Sequence, residues 1–241
     1  MRLVTQTGST NADVLAAADD GCPQGLVVVA ELQTGGRGRH GRRWVSPSQA
    51  GLSCSVLLRP TTRRAGWGWL PLLAGAAVAR VLRDAAEVEA RLKWPNDVLV
   101  GPTRHKVAGL LAEVSGEAVA LGIGVNVSNR RHELPRDDAT SLALAGATRT
   151  DRTTLLVAIL RALADDYRSW EAGADGRPAY LAACETIGRR VHITLPGGEV
   201  LAGEAADVDE VGRLVVVDDA GVRTAVAAGD VTHASAAPPG A

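Results

Sequence analysis

Disulfides, zinc sites and membrane spans are all poorly served by this sequence of 241 residues. Its three cysteines, Cys22, Cys54 and Cys184, are far apart, form no CxxC pair and would leave one thiol over in any pairing. That excludes a disulfide framework and a zinc ribbon, and makes a reducing cytoplasm the natural setting. The five histidines are equally scattered, and RRHELP around His132 has no second histidine to complete an HExxH helix, so no metal cage is expected. The amino terminus, MRLVTQTGSTNADVL, has no apolar signal core, and no later apolar run reaches the roughly 18 residues that cross a bilayer. Excess charge is missing too. A formal net charge of -1 gives the surface as a whole no footprint for nucleic acid or anionic lipid.

Lysine is also scarce: of 26 basic residues only Lys93 and Lys106 are lysine, and both lie within RLKWPNDVLVGPTRHKVAGLLAE. In a chain that otherwise uses arginine, two retained lysines point to positions that need a compact ammonium rather than a planar fork.

What is present is ordinary globular composition, 46% hydrophobic and 22% charged, enough for one larger domain and a small appendage. STNADVLAAADD opens a short helix with Ser9 or Thr10 as its cap and Val14 and Leu15 as its apolar start, which offers free N–H groups just after Gly8. GLVVVAEL at 25–32 is a buried strand, and GLSCSVLLRP at 51–60 alternates as a strand with one buried face, ended by Pro60. Residues 66–86 carry the longest helical signal, with Pro71 in the first turn, and 151–173 a second amphipathic helix capped by Asp151 or Thr153. Between them, strand signals at 89–93, 97–100, 106–114 and 117–127 form a meander, which suggests a mixed or antiparallel sheet. From Gly188 the turns come close together between period-2 strands, as in a small β-barrel of about fifty residues. The expected organisation is an α+β unit over 1–187, a barrel over 188–233 and a disordered tail over 234–241.

The segment ELQTGGRGRHGRRW, Glu31 to Trp44, hangs from the end of the second strand. Its glycines at 35, 36, 38 and 41 allow positive φ and close approach of backbone N–H groups, while Arg37, Arg39, Arg42 and Arg43 offer forks for carboxylate or phosphate. It is neither a P-loop, since GxxxxGK[ST] is absent, nor a dinucleotide fingerprint. A flexible RGG-like arm for RNA is the alternative, and the neutral remainder of the chain argues against it. KWPNDV at 93–98 reads either as a plain turn with a core tryptophan or as a strand end presenting Lys93, Asn96 and Asp97 to a ligand. LGIGVNV at 121–127 is a strand whose Gly122 and Gly124 would admit a ligand closely and whose Asn126 would present an amide.

Taken in this order, GRGRHGRRW, KWPND, KVAGLLAE and GIGVNV resemble the signatures of the biotin protein ligases, over residues 1 to about 233. The resemblance implies the class II synthetase-like biotin/lipoate ligase fold, with an SH3-like barrel at the C-terminus. It is to the short monofunctional form, which lacks the N-terminal winged helix, so no operator binding is expected. The implied chemistry is attack of biotin's carboxylate on the α-phosphate of ATP, then transfer of the acyl group from biotinyl-5'-AMP to a lysine of a biotin carboxyl carrier domain of an acyl-CoA or pyruvate carboxylase. ATP and biotin are substrates, magnesium is inferred from the chemistry, and no nucleic acid or membrane takes part. By the same resemblance Ser9, Thr10, Gln33, Gly36, Arg37, Lys106, Gly109 and Leu111 match positions that hold biotin. Arg39, Arg42, Trp44 and Asn126 match those that hold phosphate and adenine, Trp44 by stacking or covering, and Lys93 and Asn96 are placed with them. Lys106, Arg39 and Asp97 are the expected catalytic residues, with Asp97 linked to activation and metal. The segment 128–141 is either a second ordering loop or a solvated connection. A lipoate ligase would share this fold and chemistry, but the arginine-loop signature points to biotin.

Overall fold

The computed structural model describes residues 1–195 and 197–233, so the expected tail over 234–241 lies outside the described residues. A seven-stranded sheet forms the larger unit, from β1 (Arg2–Thr7), β2 (Val27–Gln33), β3 (Gly51–Leu58), β4 (Ala90–Lys93), β5 (Asp97–Val100), β6 (His105–Ser115) and β7 (Ala118–Asn126). Its order is β1-β2-β3-β7-β6-β5-β4. Only β1 and β2 run parallel, because α1 (Thr10–Asp19) crosses between them; every later neighbour is antiparallel. The sheet is therefore mixed, as expected.

β3 departs from its expected pattern: all eight of its residues are buried, on both faces. On one face Leu52, Cys54, Val56 and Leu58 join the main core beneath α2 (Trp69–Ala85), which is covered in turn by α3 (Arg152–Glu171). On the other face Leu57 packs with Val14, Ala18, Val28 and Ala120 under α1. A strand buried twice has no wet face to alternate toward, and the polar residues of β3, Ser53 and Ser55, are hidden rather than solvated. From Arg64 to Ala85 the chain is continuously helical and long and apolar enough by composition to cross a bilayer, although Arg80 and Arg83 interrupt its apolar run. It is the core helix: 67% of its most apolar window is buried in the fold. The helix α4 (Arg177–Ala183) carried no sequence signal strong enough to be expected.

Ser9 stands at the N-cap of α1, but neither it nor Thr10 caps the helix with its side chain; α3, by contrast, is capped as expected, Asp151 accepting from the Thr154 N–H at 2.7 Å.

β8 (Arg190–Thr194), β9 (Val200–Val208), β10 (Leu214–Val217), β11 (Arg223–Val226) and β12 (Asp230–His233) form a second, antiparallel sheet in the order β11-β10-β9-β8-β12. Two tryptophans bind it to the larger unit. Trp69 donates its indole N–H to the Glu210 carbonyl at 2.9 Å, and Trp94, 1% exposed, donates its own to the Gly212 carbonyl at 3.1 Å. The Trp94 backbone N–H bonds to Oγ1 of the buried Thr186 at 3.1 Å. With its oxygen so engaged, the Thr186 hydroxyl is free to donate to Nε2 of His233, 3.2 Å away.

Thr186 is the donor in that bond when Nε2 carries no proton, and burial favours the neutral imidazole. Burial, reinforced by the positive charges of Lys93 and Arg189, pushes the His233 pKa down to about 4 from an ordinary 6.5. The unfolded chain therefore binds a proton that the folded chain refuses, so this stabilisation is complete above pH 6.5 and is lost as pH falls toward 4. Thermal melts of wild type and His233→Gln between pH 7.5 and 4.5 should show the wild type losing its margin with falling pH more steeply than the variant. Parallel slopes would refute the assignment.

Candidate functional site

Register across the three central strands builds the floor of the site. Ser53, Gly124 and Gly109 stand side by side on β3, β7 and β6, and Ser55, Gly122 and Leu111 form the next row on the same face. α1 covers one end of this face; the other end opens into a cleft of about 330 Å³. Side chains are absent from the floor at three positions, and the space is used. Asn11 lies on Gly122, where an added Cβ would meet Oδ1 at 2.5 Å, and the Trp44 indole lies on Gly124, where an added Cβ would meet the ring at 2.4 Å. The expectation that both glycines admit a ligand directly is corrected, since the chain's own side chains occupy those approaches.

The cleft gathers every expected site residue except Gly36. Gly36 lies behind the arginine loop; it is buried, and its carbonyl accepts the Trp44 N–H at 2.9 Å. A Cβ there would meet the Trp44 carbonyl at 2.5 Å, so the closeness of the two chain segments is what demands glycine. Positive φ in the loop falls on His40 (55°) and Gly41 (72°), not on Gly35, Gly36 or Gly38. Flexibility is thus a lesser part of the glycine pattern than close approach.

One end of the cleft is polar and neutral. At the start of α1 the Thr10 N–H and hydroxyl both reach Oε1 of Gln33, at 2.9 and 3.1 Å, and Ser9 and Thr10 are buried beside them. Ser55 donates to Oδ1 of Asn11 at 2.6 Å, with its oxygen 2.7 Å from that of Thr10. Such fixed donors and acceptors suit a small uncharged head group.

The other end is cationic. The Lys106 ammonium touches Oδ1 of Asp97 at 2.5 Å, both side chains being less than one-third exposed. Lys93 lies in the same recess; burial lowers its pKa, while Asp97 and Asp138 oppose the shift. Arg39 is half-buried, and its guanidinium has no hydrogen bond or ion pair among the described residues. Burial lowers its pKa too, with Asp97 opposing and Arg42 adding to the effect. Its neighbours on the loop are committed: Arg37 to Glu113 at 3.2 Å, Arg42 to Asp230 at the start of β12, and Arg43 to the Thr34 carbonyl at 2.8 Å.

Both asparagines assigned to nucleotide already have one amide N–H engaged. Asn96 donates to the Leu110 carbonyl at 2.8 Å and Asn126 to the Thr140 carbonyl at 2.9 Å. Each therefore fixes a turn against a strand and keeps a second N–H and an oxygen beyond that bond. Segment 128–141 is more than a solvated connection. The Lys106 N–H bonds to the Asp138 carbonyl and the Thr140 N–H to the Lys106 carbonyl, both at 2.8 Å, so the loop is stitched to the backbone of the lysine itself. Arg136 forks onto Asp138 at 2.7 and 2.8 Å.

Sequence reasoning missed Asn11, Ser55, Glu113, Arg136, Asp138 and Asp230. A serine inside the apolar strand GLSCSVLL and the glutamate closing KVAGLLAE were the available signals, while Asp230 reaches the cleft only through packing of the second sheet. No group of three His, Cys, Asp or Glu side chains converges among the described residues, and the three cysteines are free, with burial holding Cys54 up at about 12.

Residues 5–128 match the family model described as Biotin/lipoate A/B protein ligase family, and residues 186–233 match that of the Biotin protein ligase C terminal domain. The chain is 44% identical over 238 residues to the biotin--[acetyl-CoA-carboxylase] ligase of Mycobacterium tuberculosis, covering 96% of this chain and 88% of that one. It is 31% identical to the bifunctional ligase/repressor BirA of Bacillus subtilis, over 89% of this chain and 68% of that one. A solved biotin protein ligase from Aquifex aeolicus, in complex with biotin and ATP, superposes with a TM-score of 0.81 at 27% identity, covering 95% and 96% of the two chains. Two family models in order, relatives along nearly the whole length and the same arrangement of sheets place this chain in the biotin protein ligase family.

Proposed function

We propose that this chain is a biotin--[biotin carboxyl-carrier protein] ligase working in two steps. In the first, an oxygen of biotin's carboxylate attacks the α-phosphorus of ATP and the bond to pyrophosphate breaks. In the second, a carrier lysine amine, having lost a proton, attacks the acyl carbon of biotinyl-5'-AMP and AMP leaves. The observation that carries this reading is the junction of a neutral polar recess with a cationic one in a single cleft, Lys106 and the unpaired Arg39 lying on the cationic side. Bringing a carboxylate onto a polyphosphate is opposed by charge repulsion, so fixed positive charge at the junction is the main catalytic resource.

Ser9, Thr10, Gln33 and the loop at Gly36 and Arg37 would hold the biotin head group, with Gly109 and Leu111 along its ring and tail. Arg39, Arg42, Lys93 and Lys106 would hold the phosphates, and Trp44, Asn96 and Asn126 the nucleoside side. Asp97 could hold a magnesium ion through its other oxygen, Oδ1 being taken by the Lys106 ammonium at 2.5 Å, since such ions are held by one or two carboxylates plus substrate phosphates. The ion would screen the polyphosphate charge.

A carboxylase biotin carrier is the partner that goes with the ligase family; an acyl-CoA or pyruvate carboxylase is the proposed source, without nucleic acid or membrane. Three free cysteines favour a cytoplasmic setting. We take the catalytic unit as 1–187 and the C-terminal unit as 188–233, supported by two sheets that share no strand.

The test is exchange of labelled pyrophosphate into ATP with biotin, lipoate or octanoate as the acid. Exchange with biotin alone is expected. Exchange with lipoate or octanoate only would keep the adenylation chemistry and overturn the substrate.

A further inference from the structure

We infer that Glu113 is a positioning residue for biotin, locking Arg37 of the loop and Asn11 of α1 onto the same carboxylate. The inference rests on the ligase reading and deepens it.

Glu113 sits near the end of β6, on the face that carries Gly109 and Leu111. Its two oxygens serve different parts of the fold. Oε1 accepts from the Arg37 guanidinium at 3.2 Å, and Oε2 accepts from the Asn11 amide at 2.8 Å. Asn11 is itself fixed, because Nδ2 also donates to the Leu111 carbonyl at 3.2 Å while Oδ1 accepts from Ser55 at 2.6 Å. The amide cannot turn over without breaking both contacts. From Ser55 the chain of polar contacts runs through Thr10 to Gln33, so a single connected path joins the loop arginine to the neutral recess.

Two donors converging on one side chain require two acceptors. Glutamate supplies them; glutamine, of the same shape, supplies one acceptor and sets an NH2 against either Arg37 or Asn11. Arg37 is 59% exposed, so an ion pair with it contributes little to stability. The use of the pair is geometric: it fixes Arg37 of the loop against β6, next to the recess lined by Leu111.

Biotin-dependent pyrophosphate exchange on the full chain tests this, with Glu113→Gln, Glu113→Ala, Arg37→Ala and the double Arg37→Ala/Glu113→Gln variant, each checked by its melting temperature. Glu113→Gln is expected to raise the KM for biotin about tenfold, the equivalent of one charge-assisted hydrogen bond, while kcat and the KM for ATP stay within about twofold. The double variant is expected to be little worse than Arg37→Ala alone, since residues acting as a unit do not add. An unchanged biotin KM, an equal loss in kcat, or additive effects of the two substitutions would overturn the inference while leaving the ligase reading intact. Absence of biotin-dependent exchange in the wild type would overturn both.

Discussion

Lys106→Ala is expected to reduce biotin-dependent pyrophosphate exchange by about a thousandfold, the scale of removing a preorganised charge from a developing anion in a site shielded from water. The ammonium stands beside Asp97 at the junction of the two recesses, over the Gly109 backbone, where an added Cβ would lie 3.2 Å from Nζ. On the proposed reading it would meet the carboxylate of one substrate and the phosphate of the other. Lys106→Arg is expected to recover little, because a guanidinium is wider than an ammonium and the recess is closed by Gly109 on one side and by the 138–140 segment stitched to the Lys106 backbone on the other. Stability should change little, since the ion pair is only partly buried. Initial rates of exchange at saturating biotin and ATP, with the melting temperature in parallel, give the answer. Retention of activity within a few-fold would remove Lys106 from the chemistry.

The largest effect on stability is expected from Trp94→Ala. The indole is 1% exposed, and its loss creates a cavity at the junction of the two sheets, costing about 3–5 kcal/mol. The Gly212 carbonyl loses its donor as well. Trp94→Phe keeps most of the bulk and gives up that hydrogen bond, so a smaller loss of about 1–3 kcal/mol is expected. Urea unfolding midpoints measure both. Because the turn after Trp94 carries Asn96 and Asp97, with Lys93 just before it, Trp94→Ala should also lower exchange activity even where the chain remains folded. A change below about 1 kcal/mol for the alanine variant would show that the two units are held together elsewhere.

The cores of the main elements were legible in the sequence because each carried a periodic signal. The meander from β4 to β7 follows turns at WPND, GPTRH and SGE, and α2 and α3 follow broad apolar faces with a proline or an aspartate at the start. α4 was not legible, since seven residues give too short a window for helical period to stand out. The one-sided reading of β3 failed for a different reason. Burial on a second face depends on α1 returning across the sheet, and nothing within GLSCSVLL records that.

The residue types of the site were likewise written in the sequence: a run of arginines among glycines, two lysines in a chain of arginines, and glycines spaced by two in a strand. These determine what the chain can bind, since charge and the absence of a side chain are properties of single residues. The tertiary structure alone decided which of them come together and what holds them. Register sets Gly109 beside Gly124, packing lays Trp44 and Asn11 over glycines that looked open, and the second sheet brings Asp230 to Arg42 across the cleft. Glu113 joins a loop residue 76 positions before it to a helix residue 102 positions before it. Contacts of that kind arise between segments distant along the chain, and the local pattern of either segment carries no trace of its partner.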